Sequence, residues 1–258
     1  MLISIIVTIK NEAKTIDALL DSLLVQEKPF EIIIVDAKSE DNTQQIIKKY
    51  MKKHASIKLY SKSGSRGKGR NYGVSRANGD IVAFTDGGCT AEKNWLINIR
   101  NKIDEDYDIV AGKTINVGSF TETERVEILR NGYDITWPSC NLAYKKNIFK
   151  QIKGFDERFI TAEDIDLNFR AVETGAKIGY AKDAIINRST ATSFHKFIKQ
   201  SFWYGYGRKQ LTLKHGKLWK NYSANQMITT QLTIHGIVRL FFGFLGYLAC
   251  KIQNGKTN

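Results

Sequence analysis

Apolar positions in the first third of the chain come in short bursts separated by polar segments. Ile3–Ile9 is an apolar run of strand length. It precedes Thr15–Leu24, where Ile16, Leu19, Leu20, Leu23 and Leu24 recur at helical spacing. Ile32–Val35 reads as a second buried strand. A polar turn follows, then a helix from about Gln44 to Lys53 with Ser39 or Asp41 as its cap. Ile57–Tyr60 is a third strand, Arg70–Ala77 a helix and Ile81–Thr85 a fourth strand. Strand–helix alternation of this kind predicts an α/β fold with a mostly parallel sheet flanked by helices. Ligands bind beyond the carboxyl ends of the strands in such sheets, which places Asp36 and Asp86 where a ligand would meet them.

The charge pattern divides the chain differently. Of 39 Lys/Arg and 26 Asp/Glu over 258 residues, every acidic residue lies before Arg188. Residues 188–258 hold 11 basic side chains and no carboxylate, whereas residues 1–187 are nearly balanced. A boundary is therefore expected near 187/188, between a near-neutral body and a basic, aromatic tail. A hydrophobic content of 42% excludes a wholly disordered chain. Cys89, Cys140 and Cys250 lie far apart with no CxxC pair, which fits neither a disulfide scaffold nor a zinc finger and suits a reducing compartment. The apolar N-terminus has no basic stretch ahead of it and reads as a buried strand, not a signal peptide.

Three segments carry candidate chemistry. Asp36 and Asp86 end apolar strands; each could accept hydrogen bonds from a base or ribose, bind a divalent cation, or simply cap the next turn. Ser63-Gly64-Ser65-Arg66-Gly67-Lys68-Gly69-Arg70-Asn71 interleaves glycines with three cations. That suits a diphosphate, although it matches no standard phosphate loop and a solvated loop is the alternative. Glu163, Asp164 and Asp166 open an apparent helix, where the dipole favours carboxylates and would hold Asp164 ionised as a base. Arg170, further along that helix, could restrain the cluster. His54, His195, His215 and His235 show no ligand spacing and read as surface or packing residues.

Five segments in order resemble the family 2 glycosyltransferases of GT-A fold. They are Ser4–Glu12, Ile34–Thr43, Gly69–Gly73, Phe84–Cys89 with Trp95 and Leu96, and Gly154–Asp164. Asn141–Lys145 is similar to the family's acceptor-side segment, so the resemblance covers about residues 3–187. It implies an inverting hexosyltransferase that moves a sugar from a nucleotide-sugar donor to a glycan or a polyprenyl-linked acceptor. Residues 1–187 would be the GT-A domain, with a nucleotide-sugar half to about 110 and an acceptor half over 111–187. Asp36, Arg66, Lys68, Arg70, Asn71 and Asp86 would contact the donor. Asp164 would be the general base, with Glu163 beside it.

Two departures bear on a cofactor. The family's DxD reads Asp86-Gly87-Gly88 here, and Gly88 has no side chain for Mg²⁺ or Mn²⁺. Asn187-Arg188 stands where relatives often have a metal-binding His. A weakly held divalent cation at Asp86 is the expectation, with replacement by Arg66, Lys68 and Arg70, or an impaired enzyme, as the alternatives. Ala37 replaces the second Asp that often follows position 36, which leaves the base open.

In the tail, Phe194, Phe197, Ile198, Phe202 and Tyr206 form a helical stripe, with Lys196 and Lys199 off it. Ile234–Ile252 is apolar apart from His235, Arg239 and Lys251, but its uninterrupted core, Leu240–Cys250, is short of the ~20 residues of a span. For Ile234–Ile252 a helix lying in the interface fits better than a tilted span or a soluble core or dimer helix, so that 194–252 would meet an anionic membrane surface; the Phe194–Tyr206 helix could instead pack on the body. The expected place is the cytoplasmic face of the cell membrane, with no nucleic-acid partner. A non-catalytic membrane-bound scaffold and a nucleic-acid-binding protein remain the competing classes.

Overall fold

The expected alternation is realised as β1 (Ile3–Ile9), α1 (Ile16–Leu24), β2 (Phe30–Asp36), α2 (Thr43–Met51), β3 (Ile57–Ser61), α3 (Arg66–Ser75) and β4 (Ile81–Asp86). After these come β5 (Cys89–Ala91), α4 (Trp95–Asp104), β6 (Ile109–Val117), β7 (Leu129–Arg130) and β8 (Tyr133–Asp134). A 3₁₀ turn at Ser139–Asn141 leads into β9 (Leu142–Lys145), α5 (Lys146–Gln151), α6 (Glu163–Glu173) and β10 (Ile178–Ser189). Two long helices, α7 (Phe194–His215) and α8 (Ile234–Gly255), complete the described chain. This computed structural model describes residues 1–118, 126–190, 193–216, 218 and 233–255. Parts of the acceptor-side loop (119–125) and of the tail (219–232) therefore lie outside the described residues.

The described residues contain an eight-stranded sheet ordered β3-β2-β1-β4-β9-β6-β10-β5, and β7 and β8 form a separate hairpin. Strands β3, β2, β1 and β4 run parallel, while β9 is antiparallel to both its neighbours. The first strand is buried on both faces, which is why it reads as an unbroken apolar run. Ile3, Ile5, Val7 and Ile9 pack with Ile16, Leu19, Leu20 and Leu23 of α1 and with Trp95 of α4. Ile6 joins Phe84, Phe149, Phe155 and Leu167 on the opposite face.

Helix α3 begins four residues earlier than the sequence pattern implied. Ser65 caps it, its Oγ accepting from the Lys68 amide at 3.3 Å. The glycines here serve close packing. A Cβ at Gly69 would lie 3.1 Å from Thr8 Cγ2, and one at Gly73 would lie 2.6 Å from Ile6 Cγ2. Glycine costs about 1 kcal/mol in a helix relative to alanine, and here it lets α3 lie directly on β1. At α2, Asn42 is the N-cap residue, while Asp41 accepts both the Thr43 amide that opens the helix and the Ala13 amide, each at 3.1 Å.

Strand β10 runs through Ser189, so Arg188 belongs to the sheet and not to the tail. The tail is joined to the body at several points. Asp166, fully buried, meets Lys214 Nζ at 2.6 Å and His215 Nε2 at 2.7 Å. Lys214 also reaches Asp156 at 2.7 Å. Helices α7 and α8 pack through small residues: a Cβ at Gly205 would fall 1.7 Å from the Gly243 carbonyl oxygen, and one at Gly246 would fall 1.9 Å from that of Phe202.

Candidate active site

Chain direction across the sheet reverses between β1 and β4, since β2 and β3 lie to one side of β1 and β4 to the other. That switch point opens a crevice at the carboxyl ends of the strands. Thr8 of β1 and Asp86 of β4 face each other there in register. Asp86, at the mouth, receives Arg70 Nη2 at 2.7 Å and Thr8 Oγ1 at 3.5 Å.

Arg70 is the structural keystone of the crevice. Its side chain is only 1% exposed, and its Nη1 donates to Glu163 Oε1 at 2.7 Å while Nη2 binds Asp86. One guanidinium thus ties the end of β4 to the start of α6, with the Phe155 ring 5.3 Å away. Burial alone would lower its pKa, but Asp86 and Glu163 outweigh that and raise it. Arg70 therefore bridges two carboxylates while almost fully buried, which makes it a tether between β4 and α6. Glu163 is likewise engaged by Arg70, so its carboxylate is positioned from below the crevice.

Asp164 is the partly exposed neighbour. Its Oδ2 accepts the Ser139 amide at 3.1 Å and its Oδ1 the Ile165 amide at 3.0 Å. The helix dipole favours the ionised form, but other effects outweigh it in setting the direction of the shift. Burial, reinforced by the adjacent Glu163 charge, pushes Asp164 up to about 6 against the opposing pull of the Ser139 amide and Arg70. A carboxylate with such a value is a stronger base than an ordinary one and remains mostly ionised at neutral pH. Ala162, just before this pair, adopts φ 62°, a left-handed conformation that costs a non-glycine residue about 1 kcal/mol or more. Ser139 was not singled out from sequence, because a backbone donor leaves no residue-type signal.

The other expected residues divide. Arg66 and Lys68 occupy the first turn of α3, and the charge of Arg66 is felt at Asp86. Asn71 does not point at a ligand. Its side chain clamps Phe155, accepting from the backbone N at 2.9 Å and donating to the O at 2.9 Å. Gly154 beside it has φ 64° and no room for a Cβ, which would meet Asn71 Oδ1 at 2.5 Å. Asp36 is fully buried, and its carboxylate caps the following turn through the Ser39 amide at 3.1 Å and the Gln44 side chain. Arg170 restrains Asp166 at 2.9 Å and the Gly154 carbonyl, and it does not reach Glu163. Asn141, in the acceptor-side segment, is a core residue that takes Trp95 Nε1 at 2.8 Å and donates to the Lys113 and Ala184 carbonyls.

The donor set at Asp86 does not fit a dication. No group of three His, Cys, Asp or Glu that could hold a metal ion occurs among the described residues. Position 88 offers no side-chain oxygen, and the single carboxylate is already paired with Arg70. Burial would raise Asp86, but Arg70, Arg66 and Arg188 together hold it below the usual carboxylate range. A Mg²⁺ or Mn²⁺ at Asp86 would thus compete with the Arg70 contact for one carboxylate. His215 packs against Phe169 at 4.2 Å while its Nε2 meets Asp166, and His54 stacks on Tyr50.

Comparison with known proteins bears on the family and the fold. The glycosyl transferase family 2 model matches residues 4–163, and a glycosyl transferase family group 2 model matches residues 120–252. A dolichyl N-acetyl-alpha-D-glucosaminyl phosphate 3-beta-D-2,3-diacetamido-2,3-dideoxy-beta-D-glucuronosyltransferase of Methanococcus voltae is 29% identical over 83% of this chain and 74% of its own length. Among solved structures, S. aureus TarS 1-349 in complex with UDP-GlcNAc is similar in fold, with TM-score 0.66 and 22% identity, covering 96% of this chain and 82% of that one. The mannosyltransferase PcManGT of Pyrobaculum calidifontis, in complex with GDP-Man and Mn²⁺, gives TM-score 0.65 at 18% identity over 97% of this chain and 75% of that one.

Proposed function

The chain belongs to glycosyl transferase family 2, and from that premise we propose that it transfers a hexose from a nucleotide sugar, with inversion, to a lipid-linked acceptor. The observation that carries the reading is the Asp86–Arg70–Glu163 bridge, which ties the helix start carrying Asp164, raised to about 6, to the carboxyl end of β4. Asp164 takes the proton of the acceptor hydroxyl as its oxygen attacks the anomeric carbon. The bond from that carbon to the diphosphate breaks, and its electron pair stays on the leaving oxygen. Arg66, Lys68 and the α3 amides offset that charge. Arg70 and Glu163 act as positioning residues. Asp36 meets the nucleoside once Ser39 and Gln44 yield.

The lipid-linked acceptor rests on the tail. Helix α8 is long and apolar enough to span by length and composition, with mean hydropathy 1.3 over Ile234–Gln253. It packs along α7, however, and α7 carries Lys196, Lys199, Arg208, Lys209 and Lys214, each costly at mid-membrane at about 2.5 kcal/mol or more. The hairpin instead lies in the interface of the cytoplasmic leaflet. Ile234, Ile237, Phe241, Phe244 and Ile252 are exposed along α8, and the acid-free tail suits anionic head groups.

A thermal-shift screen of UDP-, GDP- and dTDP-linked sugars tests the donor, because a ligand that binds the folded state must raise its apparent stability. Absence of any shift, or of donor hydrolysis and transfer with membrane extract, would favour the non-catalytic scaffold instead.

A further inference from the structure

Gly88 is not demanded by its surroundings. A Cβ there would meet nothing nearer than Ser189 Cβ, at 4.0 Å. The oxygen that a dication would need at this position is therefore missing although there is room for it. The opposite strand supplies a cation instead. Arg188 lies across from Cys89 in the β10–β5 pairing, and the Ser189 amide donates to the Gly88 carbonyl at 2.9 Å. This register brings the half-buried Arg188 side chain to the end of β4. Its Nε donates to Asn116 Oδ1 at 3.2 Å, and its Nη1 lies 3.9 Å from Cys140 Sγ. Its charge is felt at Asp86, and that of Asp86 at Arg188.

Contact distances then decide the chemistry. Arg70 alone touches the two carboxylates Asp86 and Glu163. Neither Arg66 nor Arg188 forms an ion pair within 4.0 Å among the described residues. Two guanidinium groups thus remain around the mouth with no carboxylate of their own. Guanidinium groups bind phosphate oxygens through paired N–H donors, and they do so without a metal.

We propose that Arg188, assisted by Arg66, takes the place of the divalent cation, so that the protein binds and releases its nucleoside diphosphate without metal. The inference rests on the donor reading above. As the bond to the anomeric carbon breaks, the electron pair passes to the bridging oxygen of the diphosphate. Arg188 stabilises that charge by donating hydrogen bonds while keeping its protons. The proton released by the acceptor goes to Asp164.

The test uses the full chain and UDP, GDP and dTDP, titrated by calorimetry in EDTA and in millimolar Mn²⁺. At least one nucleotide binds in EDTA, and Mn²⁺ tightens it by less than about threefold. Arg188→Ala weakens binding in EDTA by about tenfold, the range of a charged hydrogen bond, and Arg188→Lys restores part of it. Thermal melting of the unliganded variants checks that both are folded. Tightening of the wild-type protein by Mn²⁺ beyond about threefold overturns the inference, and that measurement needs no variant. An Arg188→Ala protein that keeps its affinity in EDTA to within about threefold also overturns it. No binding of any nucleotide in either condition removes the donor reading itself, and the inference with it.

Discussion

Replacing Asp164 with Asn should abolish turnover while stabilising the protein at neutral pH, because the site holds a carboxylate that opposes folding. The folded-state carboxyl keeps its proton more tightly than the unfolded chain, about 6 against an ordinary 3.8. Ionising it therefore costs folding free energy. That cost is absent below about pH 4, grows as pH rises between the two values and is fully present above about 6. Two units correspond to about 3 kcal/mol at most, which solvent screening of the partly exposed group reduces to about 2. The amide has one acceptor oxygen where the carboxylate has two, so either the Ser139 or the Ile165 amide loses its partner, at about 1 kcal/mol. The net is a gain of about 1 kcal/mol near pH 7.5, or a rise in Tm of about 2–4 °C. Near pH 4 only the lost acceptor counts, and the variant melts lower than the parent. Transfer assays on the same samples should show kcat reduced about 10²–10⁴-fold. In the wild-type protein, kcat/KM should fall as pH drops through about 6. Melting at the two pH values by calorimetry, beside kcat, checks both halves. An Asn variant equally destabilised at both pH values, or one retaining most of its turnover, would refute the reasoning.

Asp166→Ala leaves Arg170, Lys214 and His215 facing one another without their carboxylate. A loss of about 3 kcal/mol is expected in urea unfolding, with faster hydrogen exchange in α7. Phe241→Asp with Phe244→Asp removes two exposed rings from the lipid-facing side of α8, and binding to anionic vesicles should fall at least about tenfold. A salt series with vesicles and single-stranded nucleic acid side by side separates this from nucleic-acid binding. Gly88→Asp enters open space, so its melting temperature should change by no more than about 2 °C, and nucleotide binding should acquire a Mn²⁺ response absent from the parent.

The strand–helix alternation was legible because both faces of the parallel sheet are buried, which writes each strand as a continuous apolar run. The acidic start of α6 was legible for a similar reason, since its carboxylates stand together in sequence. Direction of pointing was not legible. Asn71 and Arg70 sit one residue apart in a segment that looks like an anion cradle, yet Asn71 clamps a turn and Arg70 is sealed between two carboxylates. The glycines between the cations suggested approach to a phosphate, whereas Gly69 and Gly73 press against β1. A glycine pattern reports that something comes close without saying what. The sign of the Asp164 shift was missed because it depends on burial and on Glu163, while local sequence displays only the helix dipole.

Charge composition split the chain where the structure joins it. Arg188 was counted with the tail because no acidic residue follows it, yet it is a sheet residue whose charge reaches Asp86. Helix α7, assigned to the tail with better reason, is pinned at its far end by Asp156 and Asp166. Partway along it, a Cβ at Gly207 would lie 2.6 Å from Thr161 Cγ2 and 3.1 Å from Ala162 Cβ. Thr161 and Ala162 lead directly into Glu163 and Asp164, and Ala162 is the residue held at positive φ. Unfavourable backbone persists only where packing over-determines it, and the packing here comes from α7. Helix α7 therefore packs against the segment that leads into Glu163 and Asp164, which makes it part of the body of the protein and not an appendage.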